Sequence, residues 1–100
     1  MATCEAIETG TAVELRVHGE MNVATVARLK DEILIWLGTK PTIVLDLNEL
    51  EALDGAGVQL IVALKKCVEA GGAVLSVLAT AEIPAGALEL AGASGLASQT

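Results

Sequence analysis

Residues 42–58 read Thr42-Ile43-Val44-Leu45-Asp46-Leu47-Asn48-Glu49-Leu50-Glu51-Ala52-Leu53-Asp54-Gly55-Ala56-Gly57-Val58. The stretch opens on a run rich in β-branched residues and nearly continuous in apolar character through Leu47. Such a run predicts a central strand covered on both faces. Asn48 to Leu53 predicts a connecting loop. Asp54 then stands where a helix N-cap belongs, and the pattern from Gly55 to Ala70 is helical. Gly71-Gly72 stops that helix, and Ala73-Val74-Leu75-Ser76-Val77-Leu78 predicts the next strand. Strand, helix and strand in this order require a parallel pairing with a right-handed crossover. This segment alone points to an α/β fold.

Towards the N-terminus, residues 4–8 predict a short first strand and Glu8-Thr9-Gly10-Thr11 a turn. Val13, Leu15 and Val17 then alternate with Glu14, Arg16 and His18, the period-two pattern of a half-buried strand that Gly19 ends. Asn22 is the expected N-cap of a helix from about Val23 to Leu37. Val26, Leu29, Ile33, Trp36 and Leu37 fall on one arc of its wheel, with Arg28, Asp31 and Glu32 largely opposite. Ile35 lies on the polar side, as single apolar residues often do. Gly38 stops the helix and Pro41 blocks its continuation. Towards the C-terminus, Glu82 to Ala91 predicts a weaker, shorter helix that tolerates Pro84 only within its first turn. The tail from Gly92 to Thr100 is small and polar and is expected to fray. The order is β-β-α-β-α-β-α. The expected fold is a single α/β domain over residues 1–100, ordered from about 5 to 97. A mixed β-sheet carries an antiparallel opening hairpin and packed helices.

Composition narrows the function. Hydrophobic residues are 53% of the 100, which argues against disorder. They are almost all aliphatic. Phe and Tyr are absent and Trp36 is the single aromatic, so there is no platform for stacking bases. The formal net charge of −7 disfavours nucleic acid and anionic membranes, both of which reward Lys/Arg clusters. It suits solubility and a basic partner patch. Met1-Ala2-Thr3-Cys4-Glu5-Ala6 lacks the basic-then-apolar pattern of a secretory signal. No apolar run approaches the roughly 20 residues that span a bilayer. Cys4 and Cys67 lack metal-ligand spacing, and with His18 the only further good ligand there are too few for a structural zinc site. Reduced thiols in a cytoplasmic protein are the expectation.

The helix from Gly55 is unusual at its start. Gly55 and Gly57 in one turn cost helix propensity, about 1 kcal/mol each relative to Ala. Such a cost goes with a tight turn, with close packing of Gly57 on the sheet, or with close approach of another backbone. Gly57, Leu60, Ile61, Leu64, Cys67 and Val68 share one arc, expected to face the sheet. Ala56, Val58, Gln59, Val62, Ala63, Lys66 and Glu69 lie on the other side, with charge only from Lys65 onward. An exposed apolar patch rimmed by charge points to a protein contact, unless the wheel is rotated or a loop covers the face.

Several local motifs in this order resemble those of STAS domains, the anti-sigma-factor-antagonist family. Val17-His18-Gly19-Glu20-Met21 resembles its strand ending in a Gly-Glu-Leu-type loop. Ile43-Val44-Leu45-Asp46-Leu47 resembles its central strand ending in Asp-Leu. Leu53-Asp54-Gly55-Ala56-Gly57-Val58 resembles its Asp-Ser/Thr-Ser/Ala-Gly-Leu turn, and Gly71-Gly72 its break before the next strand. The resemblance runs from about residue 5 to 97. It implies a non-catalytic module that docks on a protein through Asp54, Gly55, Ala56, Gly57, Val58, Gln59 and Val62. Members regulated by phosphorylation carry a Ser or Thr acceptor in that turn. Here both slots, Gly55 and Ala56, lack a hydroxyl, so the resemblance does not extend to a phosphate switch there.

Enzyme readings are thin. His18, the only imidazole, falls on the polar side of a predicted strand beside Arg16. Gly55-x-Gly57 lacks the third glycine of a dinucleotide loop, because Leu60 stands in its place. Asp46 and Asp54 both fall at one end of the predicted sheet, but two carboxylates are little for a hydrolase or a Mg²⁺ site. No cofactor is expected. The resemblance implies an anti-sigma-type kinase or a signalling protein as partner, Val58-Gln59-Leu60-Ile61 leaning slightly to chemotaxis-associated members. The alternative is a separate subunit that braces the ATPase of a lipid-trafficking transporter. Monomer and weak dimer both remain open.

Overall fold

The computed structural model describes residues 2–90 together with Gly92 and Gly95. The rest of the tail expected to fray lies outside the described residues. The elements are β1 (Ala2–Glu8), β2 (Ala12–Met21), α1 (Val26–Leu34), β3 (Thr42–Asp46), β4 (Leu50–Leu53), α2 (Gly55–Ala70), β5 (Val74–Leu78) and α3 (Glu82–Leu90).

One mixed sheet holds the strands in the order β1-β2-β3-β5, with β4 added beside β2. β1 and β2 form the expected antiparallel hairpin, with Glu8 opposite Val13 and Cys4 opposite Val17. β3 lies parallel to β2 (Leu15 opposite Leu45), and β5 parallel to β3 (Leu45 opposite Val77). Val13, Leu15, Val17, Ile43, Leu45, Leu75 and Val77 are buried, and join Leu29, Ile33, Ile61, Leu64 and Val68 of α1 and α2 in one core. Burying each such aliphatic side chain stabilises the fold by about 1.5–3 kcal/mol relative to its exposure.

Four expectations are corrected. β4 occupies part of the predicted loop. Leu50 and Leu53 pair in parallel with Gly19 and Met21, across a register shift between Gly19 and Glu20. β2 therefore runs through Gly19, which takes φ 91°, and ends at Met21. β3 is covered on one face only: Ile43 and Leu45 are buried, whereas Thr42 and Val44 are half-exposed on the far side of the sheet. α1 is shorter than predicted. Its first turn is replaced by a turn in which Asn22 Oδ1 accepts from the Ala24 amide at 2.9 Å, and the helix opens after Thr25. Its expected arc still holds: Leu29 and Ile33 are buried, with Val26, Trp36 and Leu37 packed beside them.

Candidate docking site

Three chain segments meet where β4 hands over to α2. Asp54 is the N-cap of α2, and its Oδ1 accepts from the Gly57 amide at 3.1 Å. Its own amide donates to Met21 O at 3.1 Å, which pins the start of α2 to the end of β2. Gly57 is buried there. A β-carbon on Gly57 would stand 2.5 Å from Leu53 Cδ1 and 2.8 Å from Met21 O, so only glycine fits. Of the explanations for the glycines, close packing on the sheet therefore accounts for Gly57. It does not account for Gly55, which is exposed and would meet nothing within 4 Å.

The predicted site residues separate into groups. Asp54, Gly55 and Gln59 are exposed, Ala56 and Val62 half-buried. Ala56 lines a shallow cleft against Val26, Ala27 and Lys30 of α1. Val58 contradicts the predicted wheel: it is only 6% exposed. Cys67, placed on the sheet-facing arc, is exposed instead. The buried arc of α2 is thus turned towards Val58 and away from Cys67.

α3 is the part of the site that the sequence reading missed. Pro84 and Leu88 anchor it in the interior, Pro84 within the first turn as expected. Ile83 and Leu90 face outward at 44% and 92% exposure. Between α3 and the β4–α2 junction runs an open groove of about 760 Å³. Its floor and walls include Leu53, Val58, Ile83, Ala87 and Leu90, and it carries Asp54 and Glu82. A helix apolar on nearly every side belongs in an interior or at a contact. Ile83, Ala87 and Leu90, at helical spacing beside Pro84 and Leu88, were the available signal.

Asn48 sets the position of α3. Its Oδ1 accepts from the amides of Thr80 and Ala81 at 2.8 and 2.9 Å. Its own amide donates to Asp46 Oδ1 at 2.9 Å, and Asp46 Oδ2 lies 3.4 Å from Arg16 Nε. Glu14, foremost, and the Asp46 and Glu5 carboxylates hold the Arg16 guanidinium more firmly protonated than usual. Asp46 and Asp54 are thus each bound to structural partners. His18 is part-exposed on the far face of the sheet, 3.6 Å from Glu5. Among the described residues no group of three or more His, Cys, Asp or Glu gathers as a metal site. None of the described helices is long and apolar enough to cross a membrane.

The fold has known counterparts. The chain resembles the anti-sigma factor antagonist SpoIIAA in its unphosphorylated form (TM-score 0.78, 17% identity, covering 98% of this chain and 88% of that one). It resembles an anti-sigma factor antagonist from Mycobacterium paratuberculosis (TM-score 0.82, 21% identity, covering 97% and 83%). It also resembles the phosphorylated form of the Bacillus cell fate determinant SpoIIAA (TM-score 0.72, 19% identity, covering 98% and 91%). At these identities the likeness establishes the fold. No curated protein matches the sequence significantly. The sequence profile of the STAS domain matches residues 3–97. With nearly the whole chain matched, the protein belongs to the STAS domain family.

Proposed function

We propose that this chain is a non-catalytic regulatory module that binds another protein, in the manner of an anti-sigma factor antagonist. Docking uses the groove between the first turn of α2 and α3. The observation that carries this reading is the exposure of Ile83 and Leu90 along a groove floored by Val58 and Leu53. Leu90, at 92% exposure on a helix with a buried opposite face, has no role in the fold's own core. Exposed apolar surface of this kind marks contact sites. Asp54 and Gly55 stand exposed at the rim, in the turn that resembles the family's Asp-Ser/Thr-Ser/Ala-Gly-Leu turn, which supports this reading.

Gly55 and Ala56 offer no hydroxyl, so binding is constitutive with respect to that turn. The partner is an anti-sigma-type kinase or a related signalling protein in the cytoplasm. The test is affinity purification of the tagged chain from its native host, with mass spectrometry and then titration of the purified partner. A kinase-type or signalling partner, bound equally well before and after incubation with ATP, is the expected result. Recovery of a transporter ATPase in its place assigns the chain to a transporter. Loss of binding on phosphorylation at Thr42 or Ser76 would overturn constitutive docking.

A further inference from the structure

We infer that the groove takes a cationic amphipathic helix of the partner, its apolar stripe on Leu53, Val58, Ile83 and Leu90 and its Lys/Arg side chains against an acidic rim. This inference rests on the docking reading and adds the chemistry of what docks.

The charge distribution carries it. Asp54 and Glu82 line the groove. Glu49, Glu51 and Glu89 stand exposed on the segments that flank it. No Lys or Arg occurs in residues 41–64 or 67–100, the segments that build this end of the molecule. Elsewhere most acids meet bases: Glu5, Glu14 and Asp46 share Arg16, Glu8 faces Lys40, Glu32 faces Arg28 and Glu69 faces Lys65, which leaves Glu20 and Asp31 outside an ion pair among the described residues. Among the described residues, Glu49, Glu51, Asp54, Glu82 and Glu89 form no ion pair. Most of the chain's unpaired acids therefore stand on the segments around an apolar floor, with no base among those segments.

That pairing of features selects the occupant. An anionic partner is repelled, which sets aside nucleic acid and acidic lipid surfaces. A second copy of this chain brings the same acidic end and meets like charge. An uncharged apolar segment would desolvate the rim carboxylates without giving them partners. A segment with an apolar stripe and basic flanks satisfies both features. α3 walls the groove over nine residues. At the helical rise this is about 13 Å, room for two to three turns of a docked helix.

The test uses two synthetic peptides of about 15 residues, with the same leucine stripe and either Lys or Glu on the polar face. Each is titrated into the full chain and followed by backbone amide NMR. The Lys peptide is expected to bind saturably, with shifts at Leu53, Gly55, Gly86 and Leu90, and to weaken as salt rises. Leu90→Ser and the double variant Glu51→Lys/Glu82→Lys should each weaken it by about tenfold or more. Asp31→Lys/Glu69→Lys, with the same change in net charge far from the groove, should change it by less than about threefold.

Weakening by Leu90→Ser but not by Glu51→Lys/Glu82→Lys, or equal binding of the Glu peptide, overturns the cationic partner and leaves the docking groove standing. Loss of the same size from Asp31→Lys/Glu69→Lys means that the peptide senses net charge alone, and also overturns it. Saturable binding that neither groove variant weakens, or no binding of the Lys peptide, overturns the inference. In the first of these the groove reading falls with it.

Discussion

Gly57 packs against Met21 so closely that a β-carbon on the glycine would stand 2.8 Å from the Met21 carbonyl oxygen. That oxygen also accepts the Asp54 amide, so it has little freedom to retreat. Gly57→Ala is expected to destabilise the domain by about 1–3 kcal/mol despite alanine's better helix propensity. Gly55→Ala, with open space around it, should leave stability unchanged or raise it by less than about 1 kcal/mol. Urea unfolding followed by the fluorescence of Trp36 measures both.

Val58 closes the floor of the groove from inside. Val58→Asp is therefore expected to unfold the domain, or to cost more than about 3 kcal/mol, because it buries a carboxylate with no partner. Gln59→Ala, one residue on and exposed, should stay within about 0.5 kcal/mol of the parent. A folded, stable Val58→Asp protein would show that Val58 belongs to the surface.

Asn48 ties the end of β3 to the start of α3 through the Thr80 and Ala81 amides. Asn48→Ala should cost about 1–2 kcal/mol and loosen α3 while the sheet persists. Hydrogen exchange checks this residue by residue. Protection should fall in Thr80–Leu88 and hold at Leu45 and Val77.

The two cysteines should differ in reactivity. Burial, and then the charge of Glu32, push the Cys4 thiol up to about 11. Cys67 is exposed on α2. At pH 8 a disulfide reagent should modify Cys67 first and Cys4 only slowly. The raised value also has a stability consequence. The thiolate of Cys4 forms more readily in the unfolded chain, so its contribution is complete below about 9 and is lost as pH rises towards 11. Cys4→Ala should flatten the fall in stability across that window, as read by thermal unfolding at pH 8 and pH 11.

The hairpin, the parallel strands and the helical faces were legible because periodicity reports burial directly. Val13, Leu15 and Val17 are each buried, as their alternation demands. β4 was not legible. Leu50-Glu51-Ala52-Leu53 has little β propensity of its own and is a strand through its pairing with Gly19–Met21. The apolar run of β3 misled in the opposite direction: Val44 reads as core but faces the open side of the sheet. The site was half legible. The turn at Asp54–Gly57 stood out by composition, and the glycine at 57 has the packing reason that the local pattern allowed. The opposite wall did not stand out, because only the tertiary fold brings α3 beside α2. Val58 is likewise buried in the folded domain, which a wheel drawn for α2 alone has no means to show.

The central claim is that Leu90 and Ile83 form a binding surface and not an incidental exposure. The most direct measurement is isothermal titration of the partner recovered from the native host against the parent chain, Ile83→Ser/Leu90→Ser, and Val23→Ser/Ile35→Ser. Val23 and Ile35 are similarly exposed, at 78% and 71%, but lie away from the groove. The account predicts affinity at least about tenfold weaker for Ile83→Ser/Leu90→Ser and unchanged for Val23→Ser/Ile35→Ser, with all three proteins folded. Undiminished affinity in a folded Ile83→Ser/Leu90→Ser protein would contradict it.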